Sequence, residues 1–600
     1  MGWMWTAVAM AAAAAVGTGA ARADTEAERS LAARRILDRW HGDAAEPGDR
    51  RLQVICWRTK DREFAAGHRE RLDRILTHIQ GFYRAEMERH GLGTRTIRLD
   101  RDADGRLVVH EVVAPGTFAD YEGRDGGRIR DECRPVLRER GIDIDRETIM
   151  IFTNLADWDP AALTFRHKSP YYAGGDHRAG TAWQLDSPEL DIANLPLVEP
   201  LVHDAQYGRI SLGRHNSIFI GGIAHELGHA LGLPHCQARD DEAARGTALM
   251  GSGNRTYGEE LRGEGKGSFL TLAHALRLAS HPQFSGSVKG LGAEPRAEFL
   301  DLEARTAADA RSFTIRGRVA GAIPVYALVG YLDPEGHDDY DARTVTAVPD
   351  ADGRFELECT PLVPGKAGSL RIVACHANGA TSRLAHPYTV ADDGTVGIET
   401  MSLSMALTAF CGAVSRRDHA TAETIRDAFP EGGRERAIAT SILAGVRRKP
   451  RPPQPAAAGP EDRVPLSRLE PIEARVGWLQ PAYDHLPRAE SLIVAGGRVF
   501  DTGIYAHAPA VHRYRLGGAW TRLTGECGLP DGGGSVVFVI RADGREVFRS
   551  KVVGPGRPAD FDIDLSGVDE LELLTEDAGD GKAADWGVWL APLLSGPPGR

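Results

Sequence analysis

The 600-residue chain has few cysteines, little excess charge and almost no long hydrophobic runs. Its 7 cysteines are too sparse for a disulfide-stabilised fold, and their odd number prevents complete pairing within one chain. Lys and Arg number 72 against 84 Asp and Glu, so no basic excess supports binding to a nucleic acid. Beyond the N-terminal stretch no run approaches the length of a spanning helix, and we expect no stable membrane insertion of the processed chain.

The first 23 residues have the pattern of a signal peptide. They read MGWMWTAVAMAAAAAVGTGAARA, an alanine-rich apolar run that ends in the small-x-small sequence Ala21-Arg22-Ala23. The start of the run lacks Lys and Arg, which departs from the usual pattern. We predict cleavage before Asp24 and a secreted or periplasmic protein. An uncleaved anchor is the alternative, although the run is short for one.

Changes of pattern along the chain predict a multidomain α+β protein. Hydrophobic residues make up 42% of the sequence, which is enough for several globular cores. We predict an N-terminal helix and linker over 24–50, a mixed sheet with helices over 51–285, a β-sandwich over 286–395, a short helical segment over 396–448, a Pro-rich linker over 449–463 and a β jelly roll over 464–600.

Within 51–285, strand-like and helix-like patterns alternate. Strands are predicted at 52–56, 96–99, 107–113, 148–152 and 182–185, and helices at 72–87 and 128–140. The β-α-β-β-α-β order indicates a mixed sheet with helices packed on it. The stretch from Asp100 to Glu111 also fits the EF-hand calcium pattern, but the strands beside it favour a β-hairpin with an Asp-Gly turn.

Short alternating runs mark the predicted β-sandwich. They lie at 313–319, 325–332, 354–358 and 369–374, with turn residues between them. Cys359 and Cys375 flank one predicted strand-turn-strand and form the best candidate disulfide. Buried free thiols are the alternative.

The most specific motif is HELGHALGLPH at 225–235, which fits HExxHxxGxxH at every fixed position. Residues four apart share one face of a helix, so His225 and His229 can reach one metal ion. Gly232 ends the helix, and His235 then supplies a third imidazole after the chain turns back. Three imidazoles with an open fourth position are typical of a catalytic zinc site, which we predict here.

At these residues the sequence resembles the metzincin clan of zinc metalloendopeptidases. The clan also has a Met-turn under the metal site, and Met250 within 247–253 fits it. The resemblance implies that Glu226 is the catalytic base, which accepts a proton from the attacking water and passes it to the leaving amine. It also implies an upper subdomain that carries the sheet and the active-site helix, and a smaller lower subdomain.

Three further positions are compared with the clan. Some metzincins have a metal-binding Tyr two residues after the Met, but Ser252 stands there, so no fifth ligand is expected. Cys236 follows the third His and is either a spare ligand or a packed free thiol. The strand at 182–185 lies where the clan's substrate-pairing edge strand is expected, to which a peptide would add as a further strand.

The C-terminal region resembles the NPCBM-type module, a jelly roll thought to bind carbohydrate. The matching stretches are 503–509, 534–538, 577–581 and 584–586. The candidate carbohydrate-binding residues are Trp586, Trp589, Asp585 and His507. The alternative for the aromatic residues and His507 is that they fill the core. Asp577, Asp580 and Asp585 provide enough carboxylates for a calcium ion, although a solvated loop explains them equally well.

Taken together, these patterns predict an exported zinc endopeptidase that acts on protein or glycoprotein substrates and is held on them by a carbohydrate-binding module. A glycoside hydrolase is one alternative, but it needs two placed carboxylates and leaves the three His unexplained. A non-catalytic adhesin is the other, and it would have no use for Glu226.

Overall fold

The computed structural model describes residues 25–42, 48–334, 339–449, 463–487, 491–530 and 534–596. The predicted signal peptide and most of the predicted Pro-rich linker lie outside these residues. The predicted multidomain α+β architecture is confirmed, with a mixed sheet and helices, a β-sandwich, a helical segment and a jelly roll in that order. Over the described ranges, no helix has both the length and the apolar character needed to cross a bilayer.

The first region, 25–285, consists of two main sheets and the helices packed on them. Its helices are α1 (Glu26–His41), α2 (His68–Arg89), α3 (Gly126–Glu139), α4 (Leu212–Ala230), α5 (Asn254–Thr256), α6 (Leu272–Ala279) and α7 (Pro282–Ser285). Its strands are β1 (Gln53–Arg58), β2 (Val109–Val113), β3 (Thr148–Thr153), β4 (Ala156–Asp159), β5 (Thr164–His167), β6 (Tyr172–Gly175), β7 (Gly180–Leu185), β8 (Leu201–Asp204), β9 (Gly208–Ser211), β10 (Thr247–Ala248) and β11 (Ser268–Phe269).

The main sheet has the strand order β2-β1-β3-β7-β6. β2, β1, β3 and β7 run parallel, and β6 runs antiparallel to β7, so the predicted mixed sheet is confirmed. The strand predicted at 96–99 is reduced to one bridge between Leu52 and Leu99. β7, which contains the predicted strand 182–185, is paired on both sides; the prediction that it forms the sheet edge is therefore wrong, and the edge position belongs to β6.

The stretch with the EF-hand pattern forms a turn between extended segments, as the hairpin interpretation predicts. Arg101 and Leu107 form an antiparallel bridge across the turn. The Asp102 carboxylate accepts hydrogen bonds from the backbone N–H groups of Asp104 and Arg106, both at 2.9 Å. Because this carboxylate caps its own turn, it is not directed at a calcium ion.

The second region is a β-sandwich. Its strands are β12 (Glu298–Thr306), β13 (Phe313–Ala320), β14 (Val325–Pro334), β15 (Arg343–Ala347), β16 (Arg354–Cys359), β17 (Ala367–His376), β18 (Thr381–Val390) and β19 (Val396–Gly397). Antiparallel pairing gives two sheets, β12-β13-β16 and β15-β14-β17-β18-β19. The four strands predicted here correspond to β13, β14, β16 and β17.

A helical segment and a jelly roll complete the chain. The helices are α8 (Glu399–Ala406), α9 (Thr408–Ser415), α10 (His419–Ala428) and α11 (Arg434–Val446). The jelly-roll strands are β20 (Arg463–Pro465), β21 (Glu473–Arg475), β22 (Ile493–Ala495), β23 (Arg498–Phe500), β24 (Gly503–Tyr505), β25 (Ala510–Arg515), β26 (Arg522–Gly528), β27 (Val536–Ala542), β28 (Arg545–Arg549), β29 (Ala559–Asp564), β30 (Glu570–Asp577) and β31 (Val588–Ser595). Its main sheets are β20-β31-β26-β29, with β24 also on β31, and β21-β25-β30-β27-β28.

One hydrophobic core runs through both the first region and the β-sandwich. It contains the buried face of α2, much of α4 and α6, and residues of β14 such as Tyr326, Val329 and Tyr331. A separate core fills the space between the two sandwich sheets, and another fills the jelly roll. The sandwich is therefore packed on the first region as an integral part of the same folded body.

All seven cysteines are buried, and none of them forms a disulfide bond. The candidate disulfide between Cys359 and Cys375 is therefore wrong, and the alternative of buried thiols is the one found. The physical reason is that Cys359 ends β16 in one sandwich sheet, whereas Cys375 lies on β17 in the other. The Cys359 Sγ atom is instead 3.8 Å from the backbone oxygen of Leu357.

Candidate active site

The site is built on α4, a central and almost entirely buried helix. The helix begins at the N-cap Ser211, whose side chain accepts a hydrogen bond from the backbone N–H of Arg214. Tyr83 of α2 donates its hydroxyl to the backbone oxygen of Ala224 at 2.8 Å, close to the first His of the motif. Helix packing and this hydrogen bond together hold α4 in place next to the residues of the motif.

The end of α4 places the third His beside the other two. Gly232 adopts φ +85°, and the backbone N–H of Leu233 bonds to the oxygen of Gly228 at 3.0 Å, which is the Schellman pattern of a helix end. A side chain with a Cβ is disfavoured at this φ, so the turn requires glycine. The chain then reverses, and His235 returns to the face of α4 that carries His225 and His229.

Each of the three imidazoles has its Nδ1 atom on a group that can only accept a hydrogen bond. His225 Nδ1 donates to the oxygen of Leu249 at 2.7 Å, and His229 Nδ1 donates to the oxygen of Leu233 at 2.8 Å. His235 Nδ1 donates to the carboxylate of Asp339 at 2.8 Å. These contacts determine the tautomers, and each Nε2 keeps its lone pair as a ligand.

The three Nε2 atoms point at one another. They are 3.1 Å apart for His225 and His229 and 3.0 Å apart for His229 and His235. Because the Nδ1 atoms carry the protons, these short separations bring lone pairs together, an arrangement that a shared cation stabilises. Burial lowers the pKa of His225 to about 3, so the imidazole is neutral and able to coordinate a metal at neutral pH. The donor set thus fits a metal ion, as the sequence predicts.

Glu226 lies in the same buried turn of α4. Its side chain is 8% exposed, and burial raises the pKa of its carboxyl group to about 7. A carboxyl group with a pKa near neutrality can both accept and return a proton. It follows His225 in sequence but does not join the cluster of three His.

Met250 packs against α4 in a tight turn at Leu249–Gly253. A Cβ on Gly228 would lie 2.4 Å from the Met250 sulfur, so glycine is what allows α4 and this turn to approach each other. The turn also supplies the Leu249 oxygen that holds His225. Ser252, which stands where some metzincins have a metal-binding Tyr, is exposed.

Cys236 is a packed thiol and not a spare ligand. Its sulfur is fully buried, 3.6 Å from Nδ1 of His274 and 3.8 Å from the hydroxyl of Thr271. Burial raises the pKa of this thiol to about 12, which disfavours the thiolate that a metal requires. Its backbone N–H donates to the oxygen of Met250 at 3.2 Å, which ties the segment after His235 to the Met250 turn.

Two residues at the site escaped prediction, and both come from the loop between β14 and β15. Asp339 accepts the hydrogen bond from His235, and the ring of Tyr340 stacks on His235 with centroids 3.6 Å apart. Tyr340 also lines a cavity of about 630 Å³ beside the site, together with Gln237 and Ser252. The pair lies about a hundred residues after His235 and carries no local motif, so nothing in the sequence indicates it.

The candidate sugar-binding residues of the jelly roll differ in exposure. Trp589 is fully buried against Phe538 and Phe561, with ring centroids at 5.0 and 5.5 Å, so the prediction that it offers a stacking face is wrong. Asp585 and His507 are also buried. Trp586 is half-buried at the surface.

The sequence interpretation missed an exposed Trp of the same module. Trp478 is 57% exposed, and its backbone oxygen accepts a hydrogen bond from the hydroxyl of Tyr505 at 3.2 Å. The Tyr505 ring is 5.9 Å from the Trp586 ring, and His507 lies edge-on to Trp586 at 5.5 Å. The backbone of Trp478 and the ring of Trp586 therefore both contact Tyr505, which is itself buried.

The three acidic residues considered for calcium do not form a metal-binding group. Asp577 accepts a hydrogen bond from the backbone N–H of Gly579 at 3.1 Å, and Asp580 accepts one from the Ser535 hydroxyl at 2.7 Å. Across the described ranges, the one group of His, Cys, Asp and Glu side chains close enough to share an ion is the His225, His229 and His235 cluster. The solvated-loop interpretation accounts for Asp577 and Asp580.

Comparisons with known proteins identify the C-terminal module. Residues 462–595 match the NPCBM/NEW2 domain, so the predicted NPCBM-type module is confirmed. No curated protein sequence matches the chain. Among solved structures, wild-type OgpA from Akkermansia muciniphila is 25% identical, covers 58% of this chain and 95% of its own, and has a TM-score of 0.48.

Two further structures are similar to parts of the chain. Catalytically inactive OgpA in complex with an O-glycopeptide substrate, glycodrosocin, is 25% identical and covers 57% of this chain and 94% of its own, with a TM-score of 0.47. The CBM51 of Clostridium perfringens GH95, in complex with methyl-galactose, is 23% identical and covers 22% of this chain and 99% of its own, with a TM-score of 0.21.

Proposed function

We propose that the protein is an exported zinc endopeptidase of metzincin type that cleaves glycosylated proteins. The observation that carries the proposal is the convergence of three Nε2 lone pairs, from His225, His229 and His235, next to the buried carboxyl group of Glu226. The three-His donor set suits zinc, and three protein ligands leave a coordination position for substrate chemistry.

Zinc in this site would supply an activated water and polarise the carbonyl group of the scissile peptide bond. Glu226 moves the proton: one carboxylate oxygen accepts it from the attacking water and then delivers it to the nitrogen of the leaving amine. The hydrogen bonds at the three Nδ1 atoms keep the rings in the tautomer and orientation that the reaction needs.

The jelly roll directs this activity to glycosylated material. The NPCBM match, the exposed Trp478 and the half-buried Trp586 support a carbohydrate-binding role for this module. The export of the protein is proposed from the N-terminal pattern at 1–23. We also propose that the domains meet at residues 50, 285, 395, 448 and 463, as the sequence predicts.

Parallel cleavage assays test the proposal. The purified protein is incubated with casein, with an O-glycopeptide of the kind bound by OgpA, and with the corresponding free glycan, each with and without EDTA. We expect cleavage of a peptide bond that EDTA abolishes and added zinc restores. Release of sugar from the free glycan would favour a glycoside hydrolase, and binding without any hydrolysis would favour an adhesin.

A further inference from the structure

His235 is the ligand candidate with the least support from its own segment. His225 and His229 project from α4, and both Nδ1 atoms are held by backbone oxygens close to that helix and its Met250 turn. His235 lies beyond the helix end on a reversing chain. Its Nδ1 is held by a side chain, the carboxylate of Asp339, which comes from the β-sandwich.

Asp339 is itself fixed from the other side. The guanidinium group of Arg371, on β17, approaches the second oxygen of Asp339 at 3.3 and 3.4 Å. The same guanidinium pairs with Asp333 at 3.3 Å and lies over the Tyr331 ring at 5.3 Å. All three charged side chains are largely shielded from solvent, with 19 to 26% exposure. The carboxylate therefore has one oxygen for the imidazole and one for the guanidinium.

The sandwich is anchored to the chain that carries His235. Gln237 lies two residues after His235, and its backbone N–H donates to the oxygen of Ala342 at 2.7 Å. The half-buried guanidinium group of Arg277 donates to the oxygen of Gly232 at 2.5 Å and to the hydroxyl of Tyr331 at 3.1 Å. These contacts keep Asp339 and Ala342 next to the segment that carries His235.

We propose that Asp339 is a positioning residue for His235, so that the β-sandwich completes the metal site of the endopeptidase. This inference rests on the proposed function, because it requires that the three His bind zinc. A carboxylate on Nδ1 fixes the tautomer and the ring plane of His235 and increases the basicity of its Nε2. Arg371 holds the carboxylate in the orientation that serves the imidazole.

The test compares zinc affinity in the full-length protein. Zinc dissociation constants are measured by competition with a fluorescent chelator for the parent, Asp339→Ala, Asp339→Asn and Asp341→Asn. Asp341 is the matched control, since it lies in the same loop and pairs with Lys366 at 3.8 Å. We expect a 10- to 100-fold loss of affinity in Asp339→Ala. A smaller loss is expected in Asp339→Asn, which keeps an acceptor oxygen, and none in Asp341→Asn.

A second readout separates positioning from general damage to the fold. With cobalt in place of zinc, Asp339→Asn should shift the visible absorption bands, while the thermal midpoint of the metal-free protein stays close to that of the parent. If both Asp339 variants bind zinc as tightly as the parent, the positioning role is wrong although the proposed function stands. If the parent itself binds no zinc, the proposed function fails first.

Discussion

The three imidazoles of the metal site converge on one point, whereas the four candidate sugar-binding residues of the jelly roll are divided between core and surface. His225, His229 and His235 are held by a helix, a helix-ending turn and specific acceptors for each Nδ1. In the jelly roll, Trp589 fills the core, and Trp586, three residues earlier, remains half-buried at the surface.

The difference follows from the elements that carry the residues. On a helix, a spacing of four places two side chains on one face wherever the helix packs. Of the four jelly-roll candidates only Trp589 lies on a strand, β31, which is buried over most of its length, and the other three lie in segments between strands. A helical spacing therefore determines which side chains converge more directly than the jelly-roll pattern does.

The largest expected effect is on catalysis. Glu226→Gln keeps the shape of the side chain and removes the base, so peptide cleavage should fall by about 10²–10⁴-fold. Zinc content should not change, because the three His remain. Both are measured on one preparation, by cleavage of a quenched peptide library and by elemental analysis. Glu242→Gln is the matched control: Glu242 is another buried carboxyl group whose pKa burial raises, and it is not part of the site. Parent-like cleavage by Glu226→Gln would contradict the proposal that Glu226 is the catalytic base.

The second effect separates a buried Trp of the jelly roll from two Trp residues nearer its surface. Trp589→Ala removes a fully buried ring and should lower the free energy of unfolding of this module by about 3–5 kcal/mol. Trp586→Ala and Trp478→Ala should leave stability nearly unchanged and weaken glycan binding. Chemical denaturation and a glycan array on the full chain measure the two properties. Weakened binding with intact stability in Trp589→Ala would contradict its assignment to the core.

The third effect tests the close approach of α4 and the Met250 turn. Gly228→Ala inserts a methyl group where the Met250 sulfur lies and should destabilise the protein by about 1–3 kcal/mol. Gly81→Ala is the matched control in α2, because no atom lies within 4 Å of its added Cβ. That change should instead stabilise the protein by about 0.5–1 kcal/mol. Thermal unfolding of both variants measures the contrast, and the same sign for both would argue against tight packing at Gly228.

The smallest effect is a pH dependence of stability that arises at the start of α4. Burial lowers the pKa of His215, but its hydrogen bonds to Asp204 at 3.1 Å and Glu189 at 3.3 Å outweigh burial, and the net pKa is raised. Stability from this group is complete below its ordinary pKa of 6.5 and is lost as the pH rises through the raised pKa. The pKa of Asp204 is lowered, so its contribution is lost only in acid.

Denaturation between pH 6 and pH 9 measures this dependence. His215→Gln should reduce the fall in unfolding free energy over this range relative to the parent. His203→Gln is the control, because His203 is an exposed imidazole in the same region. An unchanged pH dependence in His215→Gln would show that His215 and its two carboxylate partners do not contribute to it.

The sequence determines those parts of the fold and site that depend on local spacing. The apolar positions of α2, from Leu72 to Met87, are buried as their helical period predicts. Gly232 could be assigned to the helix end because few other residues adopt its φ. Asp339 could not be found in this way, since its contact with His235 depends on how the sandwich packs on the first region. The same holds for the edge of the main sheet, which depends on the antiparallel pairing of β6 with β7.

The core shared by the first region and the β-sandwich limits how this protein can be divided. A fragment that ends at Ser285 would leave the apolar surface of α6 uncovered and would lack the carboxylate that faces His235. Recombination that exchanges modules between genes would therefore have to carry residues 25–406 as one unit, because α1 belongs to the shared core and α8 to the core of the sandwich. The jelly roll has a core of its own and can be replaced without opening the one that surrounds the metal site.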